Sequence, residues 1–172
     1  MGSEMCIRDS RMTDVIQCKR VEVDSDLAIA LITELNAELS AVYPEEGANH
    51  FRLDKAETQP GNGAFIIAFD GDVPLGCGAV RRRLDAPAPY SPGGEIKRMY
   101  VRDQYRRRGV AACVLAYLEQ EAGKLGLEHL LLETGTRQAA AVGLYERAGF
   151  VVIPHFGEYA ESPLSLCMAK TL

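Results

Sequence analysis

The residues with the clearest chemical potential are Arg106, Arg107, Arg108, Gly109, Val110, Ala111 and Ala112, which lie between a strand-like segment and a helix-like one. A helix that opens on small residues leaves its first backbone N–H groups unpaired and aimed one way. The helix dipole adds partial positive charge there, so the turn is an anion site, suited to a phosphate or pyrophosphate. Gly109 and Ala111 keep side chains from blocking close approach to the backbone, and the arginines offer charge-assisted contacts to further oxygens. An arginine-rich solvated loop is the competing reading. The Gly-Lys-Ser/Thr ending of a Walker loop is absent, and the dinucleotide fingerprint is short of two glycines.

Two further residues have the chemistry to move protons: Glu95, a carboxylate opening a strand-like segment, and Tyr145, a phenol within the last helix-like segment. The five cysteines have no paired spacing, and three scattered histidines give no metal constellation, so no metal is expected. Cys77 and Cys113 could in principle carry an acyl group, but neither has a histidine in its own motif, and buried structural thiols are expected.

The composition frames this chemistry. With 172 residues, 47% hydrophobic and 25% charged, the chain fits one soluble globular domain spanning 12–172. A net charge of −5 disfavours nonspecific nucleic-acid binding, and no apolar run is long enough for a membrane span. Unpaired cysteines and the lack of a secretory leader point to a cytoplasmic protein. Residues 1–11 show no periodicity and are expected to be a non-native or disordered leader, with Met12 as the start.

The elements that must position these residues follow from periodicity. Strands are expected over 15–23, 64–69, 73–84, 95–102, 130–132, 150–153 and 164–169, with Asp70-Gly71-Asp72 as a hairpin turn. A helix with Leu27, Leu31, Leu35, Leu39 and Val42 on one face follows the caps at 24–26. A second spans 106–125 and a third 137–148, with Gly126 and Gly149 closing them. Leu130-Leu131-Leu132 is the continuous apolar run of a strand buried on both faces. The order is β-α-(α)-β-β-β-α-β-α-β-β, a mixed α/β (α+β) domain with a twisted sheet of about seven strands flanked by helices.

This order, with Arg106-x-x-Gly109-x-Ala111 at the turn and Ala141-Val142-Gly143-Leu144-Tyr145-Glu146-Arg147-Ala148-Gly149-Phe150 further on, resembles the GNAT superfamily of acyl-CoA-dependent N-acyltransferases. The chain departs from the family's pattern where an Asn often precedes the tyrosine helix: Thr136-Arg137-Gln138-Ala139 stands there instead. The resemblance implies that acetyl-CoA is the cosubstrate, its pyrophosphate held by Arg106, Arg107, Arg108, Gly109, Val110, Ala111 and Ala112. Its pantetheine arm would lie along the backbone of Met99, Tyr100 and Val101.

It also implies direct transfer to a primary amine of a small metabolite or peptide, with Glu95 as general base and Tyr145 as the acid that reprotonates the thiolate. In water that last step is uphill by about 2 kcal/mol, a gap that desolvation of the thiolate closes. Tyr43, Glu45, Glu46, His50, Phe156, Glu158, Tyr159 and Glu161 would wall the acceptor site, whose glutamates suit a cationic amine. The alternative is a GNAT-fold module that binds acyl-CoA without turnover, as a monomer or homodimer like the enzyme. A third reading, a nucleotide site at the arginine turn, predicts ATP binding as strong as that of CoA.

Overall fold

In the computed structural model, which describes residues 5–8 (backbone only), 15–49 and 52–172, the chain runs β1 (Met5–Arg8), β2 (Val15–Val21), α1 (Asp26–Val42), β3 (Gly63–Asp70), β4 (Val73–Arg83), β5 (Gly93–Val101), α2 (Val110–Lys124), β6 (His129–Gly135), α3 (Ala139–Arg147), β7 (Val151–Ile153) and β8 (Ser165–Thr171). All seven expected strands are present in one mixed sheet, ordered β1-β2-β3-β4-β5-β6-β8-β7. The eighth strand, β1, lies in the segment set apart as a leader. It pairs antiparallel with β2 through its backbone, a pairing that needs no side-chain periodicity.

Both faces of the sheet are covered, which explains why β3 is buried along nearly its whole length. Alternate residues serve the two faces. Ala64, Ile66 and Ala68 join the core beneath α2, with Val114 and Leu118. Phe65, Ile67 and Phe69 join the core beneath α1, with Ala28 and Leu31. Each fully buried leucine of this kind contributes about 1.5–3 kcal/mol. The α1 stripe is narrower than the sequence pattern: Leu27 is 43% exposed, and Ala28 takes the contact. Ser25 caps α1 by accepting from the Ala28 N–H. Gly78 lets α2 settle onto β4, since a Cβ there would meet Met99 Sδ at 2.6 Å and Val114 Cγ1 at 2.7 Å.

Two irregularities in β5 create the working part of the molecule. Its parallel pairing with β6 is confined to Gly94↔Leu130, Glu95↔Leu131 and Ile96↔Leu132. Beyond Ile96 the two strands part. On its other edge the register with β4 slips between Ala79↔Lys97 and Cys77↔Tyr100, leaving one residue, Gly78, opposite Arg98 and Met99. Arg98 takes up this β-bulge with φ of 58°.

Candidate active site

The parting of β5 and β6 opens a cleft of about 1170 Å³. Its walls are β5 from Ile96 to Val101, the end of β6, one face of α1, the N-terminal part of α2 and one side of α3 along its length. Unpaired strand edges and two helix starts thus meet in one cavity. This places ligand chemistry at the carboxyl end of the parallel pair, the usual location in sheets of this kind.

At one end lies the arginine turn. Arg107 (φ 62°) and Gly109 (φ 79°) are both left-handed, and α2 begins only at Val110, four residues later than the pattern predicts. The physical reason is Gly109, whose αL geometry makes it the N-cap and breaks the helix before it. Among the described residues no side chain caps this terminus, and no acidic residue stands in its first turn. Gly109, Val110, Ala111 and Ala112 line the cleft, as does the exposed Arg107. This arrangement fits a pyrophosphate: donors without an internal acceptor, positive dipole, and an arginine beside them.

The other two arginines depart from expectation. Arg106 is committed to the protein: Nε donates to the Val101 carbonyl at 2.9 Å, Nη1 to Asp103 at 3.1 Å and Nη2 to Glu38 at 2.7 Å. Its guanidinium holds the turn in shape while bordering the cleft. Arg108 stacks over Tyr105 at 5.7 Å and is absent from the cleft wall. Arg106 has a wider context. Arg98 donates to Asn36 at 2.7 Å and Arg102 grips Glu34 through two nitrogens at 3.0 and 2.7 Å, so three arginines four residues apart tie β5 and the turn to α1.

Met99, Tyr100 and Val101 all line the cleft. Met99 and Val101 pack toward the α2 core and Tyr100 toward the α1 core, which leaves their backbone edge facing the space β6 has vacated. Tyr145 lines the same cleft from α3, its ring edge-on to Phe150 at 5.7 Å. Burial pushes its phenol up, and the charge of Glu133 adds to the effect.

Glu95 is a correction to the expected catalytic set. It is wholly buried and forms no part of the cleft wall. Arg81 and Arg83 approach its Oε2 at 2.7 and 2.8 Å, and the Tyr159 hydroxyl donates to Oε1. Both oxygens are engaged in a closed network, so Glu95 is placed to hold structure together rather than to receive a proton from a substrate.

Three carboxylates do line the cleft: Glu38 and Asp103, both held by Arg106, and Glu133, one residue past the Leu130-Leu131-Leu132 run. The Ser165 hydroxyl donates to its Oε1 at 2.6 Å. Sequence reasoning passed over it. The available signal was a charge at the carboxyl end of a buried parallel strand.

The expected acidic acceptor wall is also corrected. Tyr43 and Tyr159 line the cleft, but none of the nominated glutamates does. Glu45 is taken up by Arg137, whose guanidinium also stacks on Tyr43 at 5.1 Å. Glu158 is held by Arg83 at 2.8 Å and Arg81 at 3.2 Å. Burial alone would raise the Glu158 carboxyl, but the Arg83 hydrogen bond, a backbone bond and the charges of Arg83 and Lys97 hold it down at about 2. Glu46 and Glu161 are exposed away from the cleft, Phe156 is buried against Tyr159, and His50 lies outside the described residues. The thiols behave as structural groups: burial pushes Cys77 up to about 12, and Cys113 Sγ lies 3.2 Å from Cys18 Sγ in the core.

Comparison with known proteins agrees with this geometry. The sequence profile of the Acetyltransferase (GNAT) family matches residues 28–150. The chain belongs to this family and is an acyltransferase. It is 38% identical over 147 residues to the IAA acetyltransferase of Azospirillum brasilense, covering 86% of this chain and 92% of that one. It is 35% identical over 146 residues to the uncharacterized N-acetyltransferase YsnE of Bacillus subtilis (strain 168), covering 84% and 91%. The fold matches the PaiA N-acetyltransferase from Thermoplasma acidophilum, crystallised with coenzyme A, at a TM-score of 0.69 and 16% identity, over 91% of this chain and 99% of that one. No helix among the described residues is long and apolar enough to cross a membrane.

Proposed function

We propose that the protein transfers an acetyl group from acetyl-CoA directly to the amine of a small molecule. The observation that carries this is the cleft itself, which joins an uncapped α2 terminus, the β5 edge and Tyr145 in one continuous wall. The amides of Val110, Ala111 and Ala112, with Arg107, hold the pyrophosphate. The backbone of Met99, Tyr100 and Val101 receives the pantetheine arm as an added strand would be received.

The bound thioester supplies an activated acyl carbon. The residues of the chain do the rest. An amine is mostly protonated at neutral pH, so it must lose a proton before attack, and Glu133 takes it, directly or through water. As the C–N bond forms and the C–S bond breaks, the Tyr145 hydroxyl gives its proton to the departing sulfur. Burial raises the Tyr145 phenol, so the transfer relies on desolvation raising the thiolate at least as far. Glu133 thus takes the role first assigned to Glu95.

Calorimetric titration with acetyl-CoA, with ATP as control, tests the cofactor site. Micromolar affinity for acetyl-CoA and none for ATP is expected, followed by CoA release when amines are added. Comparable ATP affinity, or no acetyl-CoA binding by folded protein, overturns the reading.

A further inference from the structure

Two consecutive cations, Lys97 and Arg98, are each only 7% exposed, yet both line the cleft. In a regular strand they would point to opposite faces. Ile96 faces the α2 core, and without the bulge Arg98 would follow it into apolar packing. The positive φ of Arg98 turns its side chain instead to the α1 side, where Nη1 reaches Asn36. Lys97 is already on that side, its Nζ 3.5 Å from the Tyr159 hydroxyl. A left-handed non-glycine residue costs on the order of 1–3 kcal/mol, and bulges recur next to active sites as devices that re-aim a side chain.

The result is two buried cations lining one wall of the cleft, Lys97 reaching toward Tyr159 and Arg98 toward Asn36. Burial pushes the Lys97 amine down, the Arg81 and Arg98 charges push the same way, and the Glu95 and Glu158 charges oppose them. The nearest network carboxylates, Glu95 and Glu158, are engaged by Arg81 and Arg83. Glu133, on the neighbouring strand β6, lines the same cleft, and its charge acts on Arg98.

We infer that the acceptor is an amine that also bears a carboxylate, of the amino-acid class: its carboxylate pairs with Lys97 and Arg98 while its amine faces Glu133. This rests on the acetyl-transfer reading above and reverses the cationic acceptor that the glutamate-rich loops suggested. Two buried cations on one wall can hold a ligand carboxylate through charge-assisted hydrogen bonds.

The test uses the full chain, acetyl-CoA, and the common amino acids paired with their primary carboxamides. Relative kcat/KM within each pair, and calorimetric binding of the acid in the presence of CoA, are measured for wild type, Lys97→Gln, Arg98→Gln and the charge-keeping Arg98→Lys. At least one acid is expected to bind and to outpace its amide. The acid-to-amide ratio should fall about 10- to 100-fold in the two Gln variants and recover in part with Arg98→Lys. Comparing the ratio between variants cancels the different basicity of the two amines. Because Arg98 also anchors Asn36, Lys97→Gln serves if Arg98→Gln fails to fold. An unchanged ratio, or acetyl-CoA-binding protein that neither binds nor acetylates any acid, overturns the acceptor inference and leaves the transferase reading intact. Folded protein that does not bind acetyl-CoA brings down both.

Discussion

Replacing Glu95 with Gln separates a structural carboxylate from a catalytic one. The side chain is 0% exposed and meets Arg81 at 2.7 Å and Arg83 at 2.8 Å, with the Tyr159 hydroxyl on its other oxygen. Removing one partner of a buried ion pair costs about 3–5 kcal/mol, because the opposing charge is left uncompensated. Here the arginines keep other partners: Glu57 at 2.7 Å from Arg81, and Glu158 at 2.8 Å from Arg83. The lower end of that range applies, about 3 kcal/mol. In a protein of this size that lowers Tm by roughly 6–12 °C. Thermal unfolding by circular dichroism reads this directly, and steady-state acetyl transfer is measured on the same samples well below either Tm. Any loss of kcat should be modest, without loss of a titrating limb from the pH–rate profile. A variant that melts like wild type but loses kcat a hundredfold or more would falsify the structural assignment and restore Glu95 as the base.

Tyr145→Phe should lower kcat by about 10²-fold or more while acetyl-CoA affinity stays within about twofold, as calorimetry and single-turnover kinetics will show. Gly78→Ala pushes a methyl group into Met99, Val114 and Leu118, and is expected to cost about 2 kcal/mol, or roughly 4–8 °C in Tm. Glu158 has its carboxyl held at about 2 when folded, against 4.5 ordinarily, so its contribution is complete above about 4.5 and is lost as pH falls toward 2. The Tm difference between wild type and Glu158→Gln should therefore be widest near neutrality and close on acidification; a constant difference would remove the ion pairs from the explanation.

What the sequence made legible was local. Alternation and apolar runs placed β3 and β6, because burial on both faces leaves a continuous hydrophobic signature. Gly109 and its neighbours marked the anion turn, since the backbone geometry there depends on residues adjacent in the chain. The acceptor wall was illegible for the opposite reason. Glu45 meets Arg137 across 92 residues and Glu158 meets Arg83 across 75, and no local pattern announces such pairings. The bulge at Arg98 was equally hidden, because Lys97-Arg98 in sequence looks like an ordinary alternation of faces.

The short parallel ladder between β5 and β6 has a kinetic meaning. Among the described residues only three pairs join the β1–β5 part of the sheet to the β6-β8-β7 part. The molecule is thus two blades sharing a narrow spine, and the backbone groups of 97–101 that point away from β4 have no strand to bind them. In the free protein those amides should trade deuterium quickly, although they lie on a central strand of the sheet. A ligand laid along that edge supplies the missing partners and bridges the blades, so exchange should slow there and at Glu133–Gly135 together. The same cofactor that brings the acyl group would then act as the molecule's removable strand.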